Sequence, residues 1–408
     1  MTRKVIGTAL LMAVFWFTPA QAQSGIDAWM TKAVNAKKAG LFDESIDALN
    51  KVLSVNARHE KALILMGRNY GAKQKFKKAV VFLKRALEAN PKSVASHRFL
   101  ALSWINLRDL KKALKHAKKA SDLGPKVWEA HHLLAEIQLG FGNTKAAIKA
   151  EKKAVKLNPK FAEGHLALSM AYRNLRKSKK ALKHAKKAVK LAPKMLPPIM
   201  TLAGIYAEMR KMKKAVSTLK KAEKLSKHFP RGLETVAAAY TLLGAGKEAV
   251  SLYKDILKKN PKHSNAHAAL ANIYFLMRKL DLAASHASKA RDIKPASPDP
   301  HKVLGMIAAA KNDCGGAETH LRKAIQFAPM APDLRLALGG ILARCNKLDA
   351  AAQELQAVVK VAPKSKGVRT PLCQIYRKLK RTTKQAISVC YAACAEVGLS
   401  KNECAIPK

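Results

Sequence analysis

"LKKALKHAKKASDLGPK" spans residues 110–126, and "SKKALKHAKKAVKLAPK" spans 178–194. The second nearly copies the first at a distance of 68 residues, twice 34. A near-copy at a fixed interval points to repeats before any other organisation. Pro91, Pro125, Pro159, Pro193, Pro261, Pro295, Pro329 and Pro363 sit on the same 34-residue grid, broken only at Ala57 and Lys227. Small residues form a column (Ala33, Gly67, Ala101, Ala135, Ser169, Ala203, Ala237, Ala271, Gly305, Gly339), and Ala79, Ala113, Ala147 and Ala181 belong to a second. Tyr70, Trp104, Tyr172, Tyr206, Tyr240, Tyr274 and Tyr376 form an aromatic column.

These columns describe two antiparallel helices per unit. Small residues let the helices approach, and aromatics fill the space beside them. Proline ends the second helix, because it lacks an N–H and restricts the residue before it. One such unit cannot bury its apolar faces alone, but a stack can.

With a third small column, mostly alanine (Ala86, Ala120, Ala154, Ala188, Ala222, Ala290 and Ala324), five columns in register over ten units resemble the tetratricopeptide repeat (TPR) family. The resemblance implies an all-α fold, a right-handed superhelical solenoid of about 10–11 helix-turn-helix repeats. Ten 34-residue units begin at Ile26, within an array over 23–365. Residues 366–408 read as a degenerate terminal repeat and cysteine-rich cap. Ser45 and Val52 depart from the small columns in the first unit, and Cys373 does so in the last. The family's first helices line a concave groove and its second helices face outward.

Lys and Arg total 77 against 27 acids, a formal charge of +50. Such a chain repels itself and is drawn to polyanions. The charge is uneven. Residues 60–229 hold 41 bases and 10 acids, whereas residues 298–365 hold 9 and 6. Within 178–194 there are seven lysines, one histidine and no acid. Ala181 and Ala188 of that stretch belong to the core stripe, so its lysines fall on the wet side of an amphipathic helix. Polyanion-binding candidates are therefore Lys111, Lys112, Lys115, Lys118 and Lys119; Lys145, Lys149, Lys152 and Lys153; and Lys179, Lys180, Lys183, Lys186 and Lys187. Simple solubility is the bland alternative. Like charges at i,i+4 destabilise a helix, however, and a solvated face ordinarily mixes signs.

Arg3 and Lys4, the apolar run Val5–Phe17 and Ala20-Gln21-Ala22 read as a secretory signal over residues 1–22. The run is too short for a comfortable membrane span, and no later stretch is apolar enough. The expected mature chain begins at Gln23, exported to the periplasm or cell envelope of a bacterium. Export makes nucleic acid a poor candidate for the anion, and anionic envelope polymers suit better.

By analogy with the family, the groove is lined by Ile64, Arg68, Arg98, Leu102, His132, Glu136, Leu166, Met170, Arg173, Met200, Asn272, Phe275 and Leu276. An apolar, methionine-bearing surface suits a protein or peptide partner. Some members clamp a terminal carboxylate with lysine and asparagine, which Ile64, Arg68, Arg98 and Leu102 do not reproduce.

His97, His131, His165, His267 and His301 occupy one column. Neighbouring units stand about 10 Å apart, and zinc takes ligands at about 2 Å, so one ion cannot be shared along the column. These histidines read as core-edge residues, and no metal or cofactor is expected. Cys314, Cys345, Cys373, Cys390, Cys394 and Cys404 form an even set, which suggests disulfides in an exported chain. Cys314 and Cys345 fall at one edge of adjacent units and can pair; the other four crowd the terminal cap. No phosphate loop, nucleophile elbow or paired carboxylates ask for catalysis. The expected function is a non-catalytic interaction scaffold with a basic outer face. The alternative is an envelope or exopolysaccharide assembly or export factor whose main ligand is a polyanionic polymer.

Overall fold

A computed structural model describes residues 19–226, 232–363 and 367–397. Among them are 22 helices and no strand. The chain packs as two compact bodies, residues 1–209 and 210–408. The first holds α1 (Pro19–Lys38), α2 (Phe42–Val55), α3 (Glu60–Ala72), α4 (Phe76–Ala89), α5 (Val94–Asn106), α6 (Leu110–Leu123), α7 (Trp128–Gly140), α8 (Thr144–Leu157), α9 (Ala162–Asn174), α10 (Ser178–Leu191) and α11 (Leu196–Glu208). The second holds α12 (Met212–Ser226), α13 (Gly232–Leu242), α14 (Gly246–Lys259), α15 (Ser264–Leu276), α16 (Leu280–Ile293), α17 (Pro298–Ala310), α18 (Cys314–Phe327), α19 (Pro332–Arg344), α20 (Leu348–Val361), α21 (Arg369–Lys378) and α22 (Lys384–Val397). Most of the expected signal segment, together with Lys227 and Cys404, lies outside the described residues. The expected processing site after Ala22 falls inside α1.

Each odd-numbered helix is the first of a unit and each even-numbered helix the second. The repeated stretches are α6 and α10. Ala113, Ala117 and Ala120 of α6 are fully buried, as are Ala181, Ala185 and Ala188 of α10. A stripe of alanines lets the partner helix approach closely, and alanine, leucine and lysine are strong helix formers. The helix forms despite lysine pairs such as Lys179–Lys183 and Lys183–Lys187, because the buried stripe outweighs repulsion of a few tenths of a kcal/mol per pair.

The first small column is buried from Ala33 to Gly339. It is matched by the residue 16 positions later. Gly67 faces Leu83, Gly305 faces Leu321 and Gly339 faces Leu355, and a Cβ added at these glycines would stand 2.5, 2.9 and 2.8 Å from the leucine. Where the column holds alanine or serine, the position 16 later can be alanine as well: Ala101 with Ala117, Ser169 with Ala185, Ala271 with Ala287. Volume is shared across the helix pair, as close packing requires.

Turns repeat as strictly as helices. Gly40, Gln74, Arg108, Gly142, Arg176, Arg210, Gly244, Arg278, Asn312, Asn346 and Lys380 all have positive φ, at intervals of 34. Each follows a first helix. At Arg108 its own N–H bonds Ile105 O at 3.0 Å and the next N–H, of Asp109, bonds Trp104 O at 2.9 Å. That is the Schellman closure, which satisfies the last carbonyls of the helix. Second helices end differently. Asn90 is extended (φ −142°, ψ 94°) before Pro91, as a residue preceding proline must be. Asn56 has the same conformation before Ala57, so the turn forms there without proline.

In the second body Cys314 is bonded to Cys345, with Cα atoms 6.1 Å apart, and Cys373 to Cys390, at 4.9 Å. Cys394 is also in a disulfide. Cys390 and Cys394, one helical turn apart, therefore do not pair with each other.

Candidate functional site

First helices of neighbouring units touch: α3 with α5, α5 with α7 and α9 with α11 in the first body, α13 with α15 and α15 with α17 in the second. Second helices of neighbouring units do not approach comparably among the described residues. The first-helix side is thus the inside of the local bend.

On that side the first body has a cavity of about 480 Å³, lined by Phe42, Phe76, Phe99 and Leu102 and bearing Lys37, Arg68 and Asn106. The Arg68 guanidinium lies 4.9 Å from the centre of the Phe99 ring, close enough for a cation–π contact. Neither Arg68 nor Lys37 has a carboxylate partner among the described residues. Burial, and then repulsion from Arg68, hold the Lys37 ammonium below its ordinary pKa. Two uncompensated cations at an apolar cavity disfavour each other and favour an anionic guest.

The remaining groove candidates are spread out. Ile64, Arg98, His132, Leu166, Arg173, Met200 and Phe275 are half-buried; Glu136, Met170, Asn272 and Leu276 are exposed. Only Arg68 and Leu102 of the sequence candidates line the cavity. Its Phe99 and Lys37 are not in the sequence set, because neither stands in a column of like residues. Arg98 reaches Glu129 at 3.8 Å. Arg173 pairs with Glu208, its Nε–H donating at 3.0 Å. His132 donates from Nδ1 to the buried Glu151 carboxylate at 2.9 Å. Burial opposes charge on both His132 and Glu151, yet the contact raises the imidazole pKa; burial raises that of Glu151 against the opposing pull of His132.

All fourteen candidate lysines of α6, α8 and α10 are exposed. Lys112 alone has a carboxylate within reach, Asp109 at 2.9 Å, among the described residues. The face is therefore a run of uncompensated ammonium groups over a stripe of alanine.

The histidine column has partners that the sequence reading does not name. His97 meets His116, His165 meets His184, His267 meets His286 and His301 meets His320, with Nδ1···Nδ1 separations of 3.0, 3.0, 2.9 and 3.4 Å. Each partner lies 19 residues later, on the second helix of the same unit. That interval is visible in the sequence, once one asks across the hairpin rather than along the column. Burial, the neighbouring imidazole and nearby lysines bring His116, His184 and His286 down to about 4. His131 has no such partner, since Ala150 stands at the equivalent place, and its Nε2 is 3.0 Å from Pro125 O.

Tetratricopeptide repeat models match residues 64–127, 105–160, 132–195 and 303–366, and a further one matches 241–307. No curated protein matches the chain. Among solved structures, yeast Tom70 is 15% identical over 93% of this chain and 94% of its own, with a TM-score of 0.48. YrrB, described as a TPR protein with an unusual peptide-binding site, is 18% identical over 47% of this chain and 98% of its own, at 0.40. MamA from Desulfovibrio magneticus is 19% identical over 41% and 94%, at 0.37. TPR arrays are protein–protein interaction scaffolds, generally without catalysis of their own. The repeat matches cover more than half of the sequence, and with 22 helices in matching register the chain belongs to the tetratricopeptide repeat family.

Proposed function

We propose that the protein is an exported, non-catalytic scaffold of a bacterial periplasm or cell envelope whose first-helix face holds an acidic, apolar peptide segment. The observation that carries this reading is the cavity between α1, α3, α5 and the first residues of α2 and α4, where Lys37 and Arg68 face phenylalanine walls without a carboxylate. A peptide placing an aromatic or leucine side chain beside an Asp or Glu fills the apolar space and neutralises the cations together. Export is supported by the leader-like start and by the disulfides, which persist in oxidising compartments. The test is fluorescence anisotropy with an amidated peptide alternating Asp and Phe, against the same peptide with Lys for Asp. The acidic peptide binds and the basic one does not, and Arg68→Glu weakens binding at least tenfold. Equal binding by wild type and Arg68→Glu overturns the assignment of this cavity.

A second reading rests on the lysine face. The unpaired lysines of α6, α8 and α10 favour contact with an anionic envelope polymer, which orients the scaffold or, in an assembly or export factor, is itself the cargo. Exposed ammonium–polyanion contacts are screened by salt, whereas the apolar part of peptide binding is not.

A further inference from the structure

The four imidazole pairs share one ring-to-ring geometry. Ring centres stand 5.2, 5.3, 5.1 and 5.7 Å apart, while the facing nitrogens are 2.9–3.4 Å apart. Most of the two ring radii therefore lies along the N···N line, and the two Nδ1 atoms point at each other nearly head-on. In two of the four pairs the tautomer of the first-helix ring is set. His97 Nε2 is 3.3 Å from Pro91 O and His267 Nε2 is 3.0 Å from Pro261 O. A carbonyl only accepts, so Nε2 carries the proton and Nδ1 carries a lone pair. A backbone carbonyl holding the far nitrogen is also how proteins orient a metal-ligating imidazole. The second-helix ring, half-exposed in every pair, closes the contact with its Nδ1–H. When its proton moves to Nε2 through water, two lone pairs face each other in line and no net proton is released.

We infer that each pair, His97–His116, His165–His184, His267–His286 and His301–His320, is a two-coordinate site for a monovalent soft cation, Cu⁺ or Ag⁺. Number and charge of ligands select that class. Among the described residues no third histidine, cysteine, aspartate or glutamate converges on any pair, whereas zinc takes four ligands. The donors are neutral, and imidazole suits copper. Lysines surround the pairs: Lys84, Lys115 and Lys119 in the first, Lys152, Lys183 and Lys187 in the second, Lys254 and Lys289 in the third. Arg291 and Lys323 face the fourth, with Asp313 opposing them. Their repulsion grows with ionic charge, so one positive charge costs less than two. Two metal–nitrogen bonds in line span about 4 Å, so the nitrogens part by about 1 Å, a motion open to the half-exposed ring. In three of the four units the helices meet through alanine or serine opposite alanine (Ala101–Ala117, Ser169–Ala185, Ala271–Ala287), which brings the two imidazoles together.

The test is titration of thiol-blocked full-length protein with silver nitrate in chloride-free buffer, read by native mass spectrometry and calorimetry. Four silver ions bind per chain. Asparagine can still donate to the first-helix Nδ1 but offers no second nitrogen lone pair, so His116→Asn, His184→Asn, His286→Asn and His320→Asn each remove one ion while helicity and melting are kept. His131→Asn removes none. A stoichiometry unchanged by the four substitutions, or no binding below about 100 μM silver, overturns the inference.

Discussion

At the residue scale the sharpest repeat is a backbone angle. The positive-φ column holds glycine, glutamine, arginine, asparagine and lysine, so no residue type marks it in the sequence. The Schellman turn imposes the conformation, and most of the chain tolerates a side chain there. L-residues in this region cost about 1–2 kcal/mol relative to glycine, partly offset by glycine's larger loss of freedom on folding. Gly142 has open space where a Cβ would go, so Gly142→Ala isolates the backbone term. It should lower unfolding free energy in urea by about 0.5–1 kcal/mol, and Arg176→Gly should raise it by a similar amount. The histidine pairs teach the same lesson in reverse. Their residue type is conspicuous, but the pairing across 19 residues depends on how closely two helices pack, which composition does not reveal.

At the element scale far more was legible. The two small columns, the proline grid and the split between apolar and lysine faces each follow from the 34-residue period, and the helices start and stop where that period places them. The compensation between Gly67 and Leu83 was not, because it is a property of volume across two helices. It can be measured as a double-mutant cycle. Gly67→Ala forces a methyl group onto Leu83 and should cost about 1–3 kcal/mol. Leu83→Ala should cost about 2–5 kcal/mol through the cavity it leaves. The double variant rebuilds the alanine pair of Ala101–Ala117, so its loss should fall short of the sum by more than about 1 kcal/mol. Strict additivity would show that the two positions do not share space. Pro91 is dispensable by the precedent of Ala57, where the same turn forms without it.

At the scale of the whole molecule charge dominates. A formal +50 with few ion pairs along α6, α8 and α10 means net self-repulsion. Thermal melting should shift upward as ionic strength rises from 0.01 to 0.15 M, where the screening length falls from about 30 to 8 Å; a downward shift would mean that attractive pairs prevail. The binding surfaces were only partly legible at this scale. The lysine face follows from periodicity, because amphipathic helices put such residues outside. The cavity does not, since Phe42 and Phe76 share a repeat position that later units do not keep aromatic, and Phe99 joins them only through the packing of α2, α4 and α5.

The central claim is that the first-helix side, rather than the lysines, holds the principal partner. Its most direct measurement is retention of partners from a detergent-solubilised envelope lysate by immobilised protein beginning at Gln23. Wild type is compared with an Arg68→Glu, Leu102→Asp variant, washed at low salt and then at about 0.5 M, where screening falls to about 4 Å. The account predicts a protein retained by wild type through the high-salt wash and lost from the variant. Elution of everything at high salt from both, with glycan or phosphate-rich polymer in the eluate, would contradict it and assign the function to the lysine face.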